Sequence, residues 1–104
     1  MSSAASSQGQ DGRVERRDEV NHRSRAMLAE RRSVPVLIVN LSPNGLMIRS
    51  DASVSVGEWI RISLPVVGDV QMAVRWTLGG RIGCQLDQAI PADRYHAVLN
   101  AMGG

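Results

Sequence analysis

Beyond a polar lead-in, apolar residues recur at every second position in short runs separated by turn residues, the spacing of half-buried β-strands. The first two runs are "SRAMLAE" (24–30) and "SVPVLIV" (33–39), the second apolar enough to be covered on both faces. "GLMIRS" (45–50) follows the polar turn of "NLSPNGLMI". In "EWIRISL" (58–64), Ile60, Ile62 and Leu64 alternate against Trp59, Arg61 and Ser63. In "VQMAVRW" (70–76), Val70, Met72, Val74 and Trp76 alternate against Gln71, Ala73 and Arg75, which pairs these two runs as a hairpin around "PVVGD". Paired glycines in "LGG" tolerate positive φ and predict a further turn, after which "RIGCQL" (81–86) sets Ile82, Cys84 and Leu86 on one face. The period then changes: Tyr95, Val98, Leu99 and Met102 fall at helical spacing behind Pro91, which suits a first helical position. The pattern predicts a mainly β fold, a six-stranded antiparallel barrel over 24–88 with a C-terminal helix over 91–102. Strands followed by a helix exclude a parallel doubly wound architecture.

Composition narrows the class. A chain of 104 residues with 43% apolar content supports one core. The single cysteine, Cys84, sits within an apolar alternation, so neither a disulfide framework nor a cysteine-rich metal site can be built, and a reducing compartment is expected. No apolar run reaches the roughly 20 residues that span a bilayer, and "MSSAASSQGQDG" lacks the apolar stretch of a secretory signal. A cytoplasmic protein without membrane insertion is expected. Residues 1–12 carry nothing to bury and are predicted to be a disordered tail.

Charge matters more by placement than by its net value of +2. All twelve basic residues are arginines, and seven of them (13, 16, 17, 23, 25, 31 and 32) precede residue 33, whereas five arginines face five acids thereafter. The planar guanidinium donates two parallel hydrogen bonds to phosphate or to the O6/N7 edge of guanine, so residues 13–23 read as a flexible, anion-directed segment. Catalysis finds no comparable support. His22 and His96 lack a metal-ligand motif, Ser42 is in no nucleophile elbow, and Cys84 lies mid-strand, so the chain reads as a binder, not an enzyme, with no cofactor.

Arg13 and Arg17 are the only arginines spaced i, i+4, just upstream of the first predicted strand. Asn40, Ser42 and Gly45 lie on the turn after the second. This RxxxR pair followed by [D/N]xSxxG, together with "RWTLGGRIGCQL" near the end of the barrel, resembles the PilZ domain family over about residues 13 to 102. The resemblance implies a receptor for the bacterial second messenger cyclic di-GMP, with 13–104 forming the domain. It implies that Arg13 and Arg17 clasp guanine and phosphate, that Asn40 meets a guanine edge, that Ser42 bonds the ligand or braces the turn, and that Gly45 permits the turn's backbone geometry. Arg16, Arg49 and Trp76 are further candidates for contact; the plainer reading of the last two is a solvated arginine and a core indole. Asn40 stands where many relatives have Asp, which removes a charge from the guanine contact.

Two other readings remain at this point. Some PilZ domains are ligand-independent adaptors in type IV pilus assembly or motility, but those usually lack the arginine pair. A single-stranded nucleic-acid binder would stack bases on aromatic platforms. With only Trp59, Trp76 and Tyr95, this chain is not expected to bind DNA or RNA. Without an attached enzyme, a receptor of this size would pass its signal to a separate, unidentified downstream protein.

Overall fold

In the computed structural model, which describes residues 16–103, the alternating runs become six strands: β1 (Asp18–Met27), β2 (Ser33–Ser42), β3 (Gly45–Arg49), β4 (Trp59–Leu64), β5 (Gly68–Leu78) and β6 (Arg81–Leu86). All neighbours are antiparallel, and the order β1-β2-β3-β6-β5-β4 closes through pairing of β1 with β4. Closure removes the unpaired edges that would otherwise recruit other strands. Helix α1 (Ala92–Ala101) follows the last strand. The fold is therefore the mainly β barrel with one C-terminal helix that the spacing predicts.

The interior is aliphatic. Ile60, Ile62, Leu64, Met72, Val74, Ile82, Cys84 and Leu86 are buried as the alternation requires, with Leu41, Leu46, Ile38 and Ile48 from β2 and β3 opposite them; only Val70 of the expected set is half exposed. Val98 on α1 and Met102 just after it are covered, and Tyr95 and Leu99 pack against the same core. The turn between β5 and β6 has Gly79 at φ 58° and Gly80 at φ 82°, the left-handed pair that a two-residue hairpin turn demands.

Two expectations need correction. The segment 13–23 does not stay outside the barrel: β1 starts at Asp18, and residues 18–23 pair along β2 and bury Val20. Arg16 and Arg17 lead directly into the strand, and residues 13–15, including Arg13, and the tail 1–12 lie outside the described residues. Trp76 does not continue the inward face of Val74 but stands 39% exposed on the outside. The second departure follows from a β-bulge, one of three in the barrel. One extra residue interrupts β1 between Glu19 and His22, another interrupts β2 between Ile38 and Asn40, and a third interrupts β5 between Val74 and Trp76. Because side chains alternate with a period of two, the extra residue in β5 sends Trp76 to the face opposite Val74.

Candidate functional site

The bulges gather the site's residues on one outer surface. Cross-strand pairing runs Asn40 to Met47, Met47 to Gly83 and Gly83 to Trp76, a lateral row over β2, β3, β6 and β5. At the usual strand separation its ends are about 14 Å apart. The next outward row runs from Ser42 to Gly45 to Gln85 to Ala73. Between the two lies the inward row Leu41, Leu46, Cys84 and Val74, which is core. Without the bulges on β2 and β5, Asn40 and Trp76 would point into the barrel with Ile38 and Val74.

Two glycines let this surface sink into a depression. A Cβ on Gly83 would lie 2.1 Å from Trp76 Nε1 and 2.2 Å from Cε2, so the indole rests directly over the Gly83 backbone. That contact buries Gly83 although its neighbours Met47 and Trp76 lie on the outer face. A Cβ on Gly45 would lie 2.8 Å from the Cys84 carbonyl oxygen. Gly45 is thus required by the close approach of β6 rather than by a left-handed turn, since its φ is not positive. The resulting open depression has a volume of about 280 Å³ and is lined by Arg17, Ser42, Asn44, Gly45, Arg75 and Trp76, with Gly83, Cys84 and Gln85 at its base.

The turn that forms its rim is rigidly held. The Ser42 hydroxyl is buried and donates to the Gly45 carbonyl at 3.2 Å, so it braces the turn and does not point to solvent. The Leu86 amide donates to the Asn44 carbonyl and the Ile90 amide to the Pro43 carbonyl, each at 2.8 Å, which ties both turn residues to the segment leading into α1. Above the rim, Arg17 Nη1 donates to Asn40 Oδ1 at 3.2 Å. A neutral amide holds the guanidinium by one bond and leaves its other donors for a ligand, whereas a carboxylate at this position would form an ion pair. Arg75 adds a second cation, and no carboxylate lines the depression among the described residues. The polar turn, two guanidiniums and a half-exposed indole can together bind an anion that carries a flat ring. Cys84 offers no nucleophile: burial pushes its thiol up to about 12, so it stays protonated at neutral pH.

Of the residues predicted from sequence, Arg17, Asn40, Ser42, Gly45 and Trp76 meet here, and Arg13 lies outside the described residues. Arg16 is not brought in: its side chain is 90% exposed and lies 3.8 Å from Asp18 Oδ1, a loose pairing that faces solvent. Arg49 is not brought in either. It lies at the far end of β3 from Gly45, in a separate depression with Arg23, Leu37 and Asp51, because four strand residues carry it about 13 Å along the barrel. Arg75, Gln85 and Gly83 were missed as site residues. Arg75 and Gln85 read simply as the polar face of their strands, and only the adjacency of "RW" to the predicted hairpin hinted at the first.

A family model for the PilZ domain matches residues 11–101, nearly the whole chain. The chain belongs to the PilZ domain family. PilZ domains are binding and adaptor domains, generally receptors for cyclic di-GMP, rather than catalysts. No curated protein matches the chain. Among the described residues of this PilZ domain, no helix is long and apolar enough to cross a membrane.

Proposed function

We propose that this PilZ domain is a cyclic di-GMP receptor that passes the second-messenger signal to a partner protein. The observation that carries this reading is the Arg17–Asn40 contact poised over an outward depression that holds a second arginine and an exposed indole and, among the described residues, is free of lining carboxylates. Cyclic di-GMP is a dianion with two guanines. It calls for cationic forks that reach phosphate or the O6/N7 edge, a polar group for a base edge, and a flat apolar surface for stacking. Arg17 supplies the fork, and Arg13, four residues upstream in sequence, supplies a second. Asn40 both orients Arg17 and reads a guanine edge. Ser42 and Gly45 keep the turn low, so that the ligand can approach its backbone. Trp76 stacks on one purine, and Arg75 adds positive charge beside it.

Titration calorimetry with cyclic di-GMP, GTP and a short oligonucleotide tests this. The wild type is expected to bind only the first, with an affinity that falls as salt is added because the leading contacts are ionic and partly exposed. Arg17→Ala is expected to weaken binding about five- to 150-fold, the worth of one bidentate arginine–guanine contact of roughly 1–3 kcal/mol, while Arg94→Ala on α1 binds as wild type. Asn40→Ala should cost less than Arg17→Ala. Absence of binding by the wild type at low salt would instead favour a ligand-independent adaptor.

A further inference from the structure

A second depression, larger than the first at about 510 Å³, opens where the β1–β2 turn meets the outer face of β4. Part of its wall is apolar. Trp59 is 55% exposed and Met27 38% exposed, while Leu28 and Ile60 form a buried floor. Arg31 and Arg61 also line it, and among the described residues no carboxylate lies within ion-pair distance of either. Gln71 completes the lining from β5. Glu58, next to Trp59, is engaged elsewhere, since its Oε1 accepts from the Ser55 amide at 3.1 Å. Asp69 belongs to the adjoining depression that shares Met27 and Arg61.

Backbone strain points to the same place. Glu30 and Arg31 are consecutive non-glycine residues in the left-handed region, at φ 61° and 60°, in the short 3-10 turn Ala29–Arg31. Such residues carry a conformational cost that a simple two-residue turn with Asn or Gly would avoid, and clusters of them mark functional surfaces more often than chance. Here the strained turn is the one that presents Arg31 to the depression.

We propose that this face docks a segment of a partner protein in which an apolar residue is flanked by Asp or Glu. Exposed Trp, Met and Arg in one concave patch match the composition of interface centres, where aromatic and arginine side chains contribute most of the binding energy. Trp59 and Met27 take the apolar anchor, and the flexible thioether adapts to its shape. Arg31 and Arg61 bind carboxylates on either side, and Gln71 is free to bond the segment's backbone. A second copy of this chain is the poorer match in charge, because its net charge is itself +2. The face also adjoins the first site: Trp59 pairs with Ala73, which pairs with Gln85 in the lining of the first depression. The proposal rests on residues distinct from that depression and stands whether or not a nucleotide binds there.

Panning a displayed library of random peptides against the full chain tests it. Enriched sequences are expected to combine an apolar residue with flanking Asp or Glu. The synthesised winner should bind Trp59→Ala and Arg61→Glu roughly thirtyfold more weakly than wild type, the loss typical of a hot spot. Both changes are on the solvent face, so their melting temperatures should match wild type. In a ¹H–¹⁵N spectrum the peptide should shift the Trp59 indole Nε1–H and leave that of Trp76 in place. Failure to enrich, winners without acidic bias, equal binding to both variants, or a shift at Trp76 alone would each overturn the proposal. So would a concentration-dependent shift of Trp59 without peptide, which would assign the face to a second copy.

Discussion

Gly83 and Gly45 show how two residues of one kind support the site for different reasons. At Gly83 an added Cβ meets the indole of Trp76, a half-exposed side chain that can swing away. At Gly45 it meets the backbone of Cys84, which is locked between β3 and β5. Gly83→Ala should therefore fold normally but expel the indole from its seat, which a red shift in tryptophan emission and a fall in cyclic di-GMP affinity would report. Gly45→Ala should instead force β3 and β6 apart, at a cost of about 1–3 kcal/mol if it behaves like other overpacked sites. For a domain of this size each kcal/mol lowers the melting temperature by roughly 4–8 °C. Equal stability of the two variants would show that the close contact at Gly45 relaxes freely. The sequence marks Gly45 as special, but it cannot say that a neighbouring strand, not the turn, excludes a side chain there, since that strand lies some forty residues downstream.

Among the elements, the bulges on β2 and β5 bring Asn40 and Trp76 to the outer surface, and they are what alternation cannot reveal. The inward faces of β4 and β6 are legible because their strands are regular and one face is purely aliphatic. "DEVNHR" is not legible as a strand: its outer face is polar, its inner face carries Asp18 and His22 beside a single aliphatic residue, and only Val20 is buried among these six residues. The turn is legible as a turn, because Asn, Ser, Pro and Gly each favour that role, whereas the sequence leaves Ser42 open between ligand contact and brace and the bond to the Gly45 carbonyl gives the brace. Helix α1 is joined to this region by Tyr95, whose hydroxyl lies 2.7 Å from Asp18 Oδ2 and 3.0 Å from the Leu41 carbonyl. The single phenolic proton goes best to the carboxylate, which accepts the stronger bond. Tyr95→Phe should thus destabilise the domain by about 1–2 kcal/mol in urea or thermal unfolding, because Asp18 loses its closest partner while partly buried. Unchanged stability would mean that the apolar stripe alone holds the helix. Asp18 immediately follows Arg17, so this bond also fixes where the arginine leaves the barrel.

On the scale of the whole molecule, a closed barrel serves as a rigid frame with two separate outward faces. One combines Arg17, Arg75 and Trp76 around the braced turn; the other combines Arg31, Arg61 and Trp59 beside the strained one. The arginine excess at the N-terminal end is visible from sequence, but its division between faces is not, because it depends on the closure of β1 against β4 and on the bulges. Arg16 and Arg49 show the same limit, being near the motif in sequence and away from the depression in space. Two tryptophans, one on each face, make the central claim directly measurable. In a ¹H–¹⁵N titration with cyclic di-GMP, the account predicts saturable shifts of the Trp76 indole Nε1–H and of the Asn40, Gly45 and Gly83 amides, with the Trp59 indole unmoved. Shifts confined to Trp59, or none at any ligand concentration at low salt, would contradict it.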